Sequence, residues 1–263
     1  MRRFDEAITA HQQSLTRYQE DGDREQEARV LAGLAKTLRE MGRLDDAIDE
    51  YRHAVDISHS TGYGEVEGWA CNDLGFTLWE AQRRNEAIYA YRRAQTAYRK
   101  IDNRNGEGLA SRNLAKALSD VGRPREAIEA YRGALAAYQE GTDRIGEASA
   151  WHGYGILLLG ERRLDDAIEA DHRAQALWRD IGDRDSEGHA WHNLGLALRR
   201  AGRLKAAIAA YRRALDLYQQ TGNRTSVGRT WNALSVAFTD DNCRAEAQHA
   251  QQQAKTLLAE NNR

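Results

Sequence analysis

The chain has 263 residues, 30% of them charged, and a formal net charge of −2. Its mean hydropathy is −0.78, and no apolar run reaches the roughly 18 residues that a membrane-spanning helix needs. The near-neutral charge argues against nucleic acid as the main partner, because phosphate binding wants a basic face. The N-terminal MRRFDEAITA carries no apolar stretch of the kind a signal peptide has, and a cytoplasmic setting is expected.

In chain order the same pattern returns every 40 residues, marked by Ala7-Ile8, Ala47-Ile48, Ala87-Ile88, Ala127-Ile128, Ala167-Ile168, Ala207-Ile208 and Ala247-Gln248. A fixed period of this size is the mark of a solenoid, in which each unit buries its apolar face on its neighbours. Residues 2–21 read as a lone second helix, whose Phe4, Ile8, Leu15 and Tyr18 are expected to be exposed. Such a start suggests a piece of a longer protein. Full helix pairs follow at about 24–61, 64–101, 104–141, 144–181, 184–221 and 224–260, giving one solenoid over 1–263. In the pair 64–101, Trp69, Cys71, Leu74, Gly75 and Leu78 recur at helical spacing, and so do Ala87, Ile88, Tyr91, Ala94 and Tyr98. The turn inside each pair falls at Gly42-Arg43, Gln82-Arg83, Gly122-Arg123 and Gly202-Arg203. Between pairs stand Gly22-Asp23, Gly182-Asp183 and Gly222-Asn223, where glycine closes one helix and Asp or Asn caps the next. Pro124 sits in a first turn, where its missing donor costs little. Small residues at fixed registers (Ala54, Ala94, Ala134; Ala35, Gly75, Gly155, Gly195) let helices approach closely, and large ones such as Tyr91 fill the gaps. Gln248, Gln251 and Lys255 make the final helix polar, as a solvent-facing cap requires.

The order Trp-x-x-Leu-Gly, then Ala-x-x-x-Tyr-x-x-Ala, shown by Trp191, Leu194, Gly195, Ala207, Tyr211 and Ala214, resembles the tetratricopeptide repeat. The common period of that repeat is about 34; the longer form here is similar to kinesin light chains, to Partner-of-Inscuteable scaffolds and to sensor arrays of bacterial signalling ATPases. The resemblance implies an all-α, right-handed α-α superhelix of helix-turn-helix repeats that binds a protein or peptide in its concave groove. It covers essentially the whole chain. Arg- and Ala-rich usage suggests a high-GC bacterium such as an actinomycete.

The family's groove register falls on the first helices. It gives Arg39 in the first full repeat and Trp69, Asn72, Phe76 and Trp79 in the second. In the third it gives Arg112, Asn113 and Lys116, in the fourth His152 and Ile156, and in the fifth His192, Asn193, Leu196 and Arg199; the sixth offers Arg229 and Val236. Trp69, Phe76 and Trp79 share one helix face beside basic side chains and read as an anchor for an apolar group with an acidic neighbour; the plain alternative is that these rings pack on the adjacent repeat. Arg112 and Lys116 partly resemble the carboxylate clamp of chaperone cofactors, but Ala32 and Lys36 stand where a Lys and an Asn are needed, so a general anion-attracting stretch is expected. His152, His189 and His192 could approach one another, yet no thiol or carboxylate completes a zinc set, and no metal or cofactor is expected. Tyr154 and Asp171 replace the usual Leu and Tyr and read as a compensated swap with a hydroxyl–carboxylate bond.

Neither Cys71 nor Cys243 has a CxxC or His-rich neighbourhood, so free thiols are expected. There is no Gly-rich phosphate loop, HExxH pair or Ser elbow, and Asp45-Asp46 and Asp165-Asp166 recur with the structural period at helix starts. An enzyme is not expected. The leading reading is a peptide- or protein-binding scaffold. The alternatives are the sensor array of a signalling ATPase or transcription regulator, and a module that self-assembles through its first helix, with neither nucleic acid nor membrane as partner.

Overall fold

The computed structural model describes residues 2–260. Helices α1 (Arg2–Asp21), α2 (Arg24–Glu40), α3 (Leu44–Thr61), α4 (Gly64–Glu80), α5 (Arg84–Lys100), α6 (Arg104–Asp120) and α7 (Pro124–Glu140) belong to one compact unit, Met1–Thr142. Helices α8 (Arg144–Gly160), α9 (Leu164–Ile181), α10 (Arg184–Arg200), α11 (Leu204–Thr221), α12 (Arg224–Asp240) and α13 (Arg244–Glu260) belong to the other, Asp143–Arg263. Among the described residues there is no strand, and no helix is long and apolar enough to cross a membrane.

The ends of the helices follow from local chemistry. The side chains of Asp23, Asn103, Asp143, Asp183 and Asn223 each accept from the backbone N–H three residues on, which relieves one free donor of a first helix. The second helices start differently. Arg43, Arg83, Arg123 and Arg163 make no side-chain cap, and each guanidinium instead grips the carboxylate three residues later. The acidic pairs at these starts are therefore helix-end furniture. The turn before each second helix needs a left-handed residue: Gly122 and Gly202 supply it, but Gln82 adopts φ 62° and Arg162 φ 58° at the same register.

Packing explains the small residues. A Cβ on Gly75 would stand 2.7 Å from the ring of Tyr91, and one on Gly195 2.7 Å from the ring of Tyr211. Rings of the second helices thus lie directly on bare backbone of the first. Within each unit, consecutive first helices pack backbone to backbone (α2 with α4, α4 with α6, α8 with α10, α10 with α12), whereas the described second helices pack on first helices and reach one another through long side chains, as Arg52 of α3 reaches Glu86 of α5 and Arg92 of α5 reaches Glu126 of α7. The first helices therefore form the inner, more tightly curved layer of each unit.

Buried glutamates brace the layers. Glu27, Glu67 and Glu107 occupy one register of the first helices. Each bonds a donor eight residues earlier, on the preceding second helix: Gln19 at 3.0 Å, His59 at 2.9 Å and Arg99 at 2.7 Å. Arg93 adds a second bond to Glu67 at 3.1 Å. In the other unit Glu187 accepts from Gln175 and from the indole of Trp191.

The first helix differs from its expected state. Phe4, Ile8, Leu15 and Tyr18 are half-buried, not exposed, because α1 lies on α2 and places Ile8 against Leu34, Leu38 and Ala47. At the far end, α13 buries Ala247, Ala250 and Ala254 and exposes Gln248, Gln251 and Lys255.

Two glycines should respond oppositely to the same change. Gly133 of α7 has nothing within 4 Å of an added Cβ, so Gly133→Ala should gain about 0.5–1 kcal/mol from helix propensity. Gly195→Ala meets a Tyr211 ring that is fully buried and has nowhere to go, so it should lose about 1–3 kcal/mol in spite of that propensity gain. Urea unfolding of the two variants checks the signs.

Candidate functional site on the inner helices

The inner layer exposes a recurring apolar register. In the first unit it carries Phe76, 45% exposed, with Lys36 and Lys116 at the equivalent positions of the neighbouring repeats. In the second unit it carries Ile156 at 50% and Val236 at 41%, with half-buried Leu196 between them in register.

Around Phe76 the expected anchor is only partly open. The Arg39 guanidinium lies 4.8 Å from the Phe76 ring centre and 3.9 Å from Glu80. Trp69 is half-buried. The Trp79 face is covered by Arg84 at 3.8 Å, and Arg84 also bonds the Trp79 carbonyl. Asn72 and Asn113 are bonded to each other across α4 and α6 at 2.9 Å, which ties two repeats together. Lys116 pairs with Asp120 at 3.0 Å, and Arg199 with Asp240 at 2.9 Å. Arg112 is half-buried, close enough to oppose the upward push that burial gives the Tyr131 hydroxyl, which reaches about 12.

The second unit brings other sequence-selected residues together. His152 and Ile156 of α8, His189, His192 and Asn193 of α10, Tyr218 of α11, and Ser226, Arg229 and Thr230 of α12 line a cavity of about 320 Å³. The Tyr218 hydroxyl lies 2.8 Å from His189 Nδ1, and Thr230 Oγ1 lies 3.0 Å from His192 Nδ1. Burial pushes His152 down to about 4, helped by the neighbouring His189; burial, Arg229 and His189 do the same to His192. His189 is lowered by burial against the opposing pull of Asp185. At neutral pH all three rings are therefore uncharged and Arg229 supplies the charge of the cavity. Among the described residues no cluster of three or more His, Cys, Asp or Glu is arranged to hold a metal. Tyr218, Ser226 and Thr230 were not singled out from the sequence. The available signal was a break in the period: Thr230 stands where Ala70, Ala110, Ala150 and Ala190 stand in the earlier repeats.

The tetratricopeptide repeat pattern matches residues 1–58, 67–140, 146–220 and 186–260. The chain belongs to the tetratricopeptide repeat family. No curated protein sequence matches it. Among solved structures it is similar to BtubC (BKLC) from P. vanneervenii, with TM-score 0.72, 18% identity, and 83% of this chain and 92% of that one covered. It is also similar to nearly identical repeats of a kinesin light chain from Podosopora anserina (0.63, 16%, 74% and 96%). A third likeness is to PH0952 from Pyrococcus horikoshii, a signal transduction ATPase with a tetratricopeptide repeat sensor (0.76, 14%), where 90% of this chain covers 37% of that one. At these identities the likeness is one of fold.

One position breaks the repeat's packing rule. Asp171 takes the register of Tyr91 and Tyr211, and its Oδ1 stands 2.6 Å from where a Cβ of Gly155 would be. It is fully buried, and neither carboxylate oxygen has a hydrogen-bond partner. The expected bond from Tyr154 is not made; the Tyr154 ring is engaged with Trp151 at 6.3 Å instead. Burial alone raises Asp171 to about 8, so below that pH it is held as a neutral acid. The unfolded chain releases this proton near pH 3.9. Because the folded state binds it more tightly, stability is full below about pH 4 and falls as pH rises through 8. Asp171→Asn should remove this slope and be the more stable protein at about pH 8.5, by several kcal/mol. Denaturant unfolding of parent and variant across pH 5–8.5 measures it.

Proposed function

We propose that this tetratricopeptide repeat chain is a non-catalytic, cytoplasmic scaffold that holds a peptide or protein segment on the inner faces of its helices. The observation carrying this reading is the recurrence of exposed apolar side chains at one register of the first helices, Phe76 in one unit and Ile156 and Val236 in the other. Exposed apolar groups recurring on the curved inner layer cost solubility, while polar and charged neighbours supply a rim. Trp69, Phe76 and Trp79, with Arg39, remain the anchor of the first unit in this reading, with Arg84 displaced from Trp79 by the ligand. Asn72, Arg112, Asn113, Lys116, His152, His192, Asn193 and Arg199 are its polar contacts.

A second reading, the sensor array of a signalling ATPase, is supported by the likeness to PH0952, whose own sensor is made of these repeats. It assigns the same inner face to a signal ligand. Self-assembly through α1 has less support, since Phe4, Ile8 and Leu15 are half-buried on the chain itself.

Peptides selected from a random displayed library against the parent chain should bind the Trp69→Ala, Phe76→Ala, Trp79→Ala triple variant or an Ile156→Ser, Val236→Ser variant at least about tenfold more weakly, roughly 1.4 kcal/mol. Circular dichroism must show each variant still folded. Selected peptides that bind parent and both variants alike would sink the inner-face reading.

A further inference from the structure

The cavity of the second unit has a donor pattern that specifies its ligand. Thr230 has one hydroxyl hydrogen, and it is given to the carbonyl of Ser226 at 2.8 Å. Its oxygen must then accept from His192 Nδ1 at 3.0 Å. This fixes the neutral ring as the Nδ1–H tautomer and leaves Nε2 a bare lone pair. Arg229 is exposed at the same cavity, and no ion pair is formed with it among the described residues. No Asp or Glu lines the cavity. An anion attracted by Arg229 would therefore enter a cavity that His192 also lines, and contact with the bare nitrogen of that ring becomes favourable only when it carries a proton.

Resting on the inner-face reading above, we infer that this cavity is a carboxylate site in which Arg229 and protonated His192 hold the ligand, so that binding draws one proton from solvent onto His192 Nε2. The proton balance is simple: the neutral ring takes a proton from water, and the new Nε2–H donates to a carboxylate oxygen. Before binding, the groups around the ring oppose that proton. Arg229 of α12 and His189, on α10 with His192 itself, are cationic or potentially so, His152 faces the cavity from α8, Tyr211 and Tyr218 come from α11, and only Asp183 and Asp185 act in the other direction, on His189. A bound carboxylate cancels the field of Arg229 and supplies the missing acceptor. The affinity consequently rises as pH falls. The carboxylate can belong to an acidic side chain, to a peptide C-terminus or to a small free acid, and the probes below separate these sources.

The test uses the full chain and four probes: acetate, acetyl-Leu-Glu-Leu-amide, acetyl-Leu-Ala-Leu with a free C-terminus, and acetyl-Leu-Gln-Leu-amide as the neutral control. Long-range ¹H–¹⁵N spectra of the imidazoles report tautomer and charge directly. The free protein at about pH 7.5 should show His192 as Nδ1–H, and at least one carboxylate probe should convert it to the doubly protonated ring near pH 6. The affinity of that probe should rise at least about threefold between pH 7.5 and 5.5. Arg229→Gln should abolish binding, and His192→Asn should flatten the pH dependence without unfolding the chain. Thr230→Val frees the tautomer, so it should also flatten it.

An Nε2–H tautomer in the free protein, a pH-independent affinity, or a glutamine control that binds as tightly as the glutamate peptide would each overturn the inference. If peptides bind and respond to Ile156→Ser and Val236→Ser while the imidazoles stay unchanged, the inner-face reading stands and the carboxylate site falls. If acetate alone protonates His192 and no peptide binds, the site stands and the peptide reading falls.

Discussion

The close seating of a tyrosine ring on glycine backbone is the contact on which the rest of this structure depends. Tyr91 on Gly75 and Tyr211 on Gly195 leave no room for a methyl group, and so they fix how near the two helices of a repeat can lie. That spacing sets which register of the first helix is spent on its own partner. Cys71, Leu74 and Leu78 are buried; Phe76, on another face, is left over for the inside of the curve. The functional face is what remains after the packing face has been satisfied.

The fold was highly legible because its information is repeated. Six copies of one helix pair average out local ambiguity, and the turn, cap and ring positions recur at a single interval. Even Gln82, which breaks the glycine rule, sits where the period demands a left-handed residue. The site was less legible, for the same reason. A period predicts which face a residue occupies and says nothing about whom it meets. The repeat register puts Asn72 and Asn113 on the first helices of neighbouring repeats, but their bond to each other depends on the distance between those repeats. Arg84 over Trp79 depends on a side-chain path from the start of the next helix.

Departures from the period carried more about chemistry than the period did. Thr230 in a column of alanines orders a histidine, and Asp171 in a column dominated by tyrosine leaves a buried acid without a partner. Sequence reasoning expected Tyr154 to complete Asp171 because complementary substitutions normally compensate one another. The structure instead turns Tyr154 to Trp151 and leaves Asp171 to be stabilised by keeping its proton. A tolerated exception of this kind is affordable only because each repeat depends chiefly on its two neighbours.

The glutamate braces have a consequence for how such a chain changes length over generations. Gln19, His59 and Arg99 are interchangeable donors at one register, each serving a glutamate eight residues later. Excising one period between equivalent positions of these three repeats therefore rejoins a donor to a carboxylate. Duplication does the same in reverse. The junctions heal chemically at the moment they are made, so unequal recombination can lengthen or shorten the array without an intermediate that buries a naked charge.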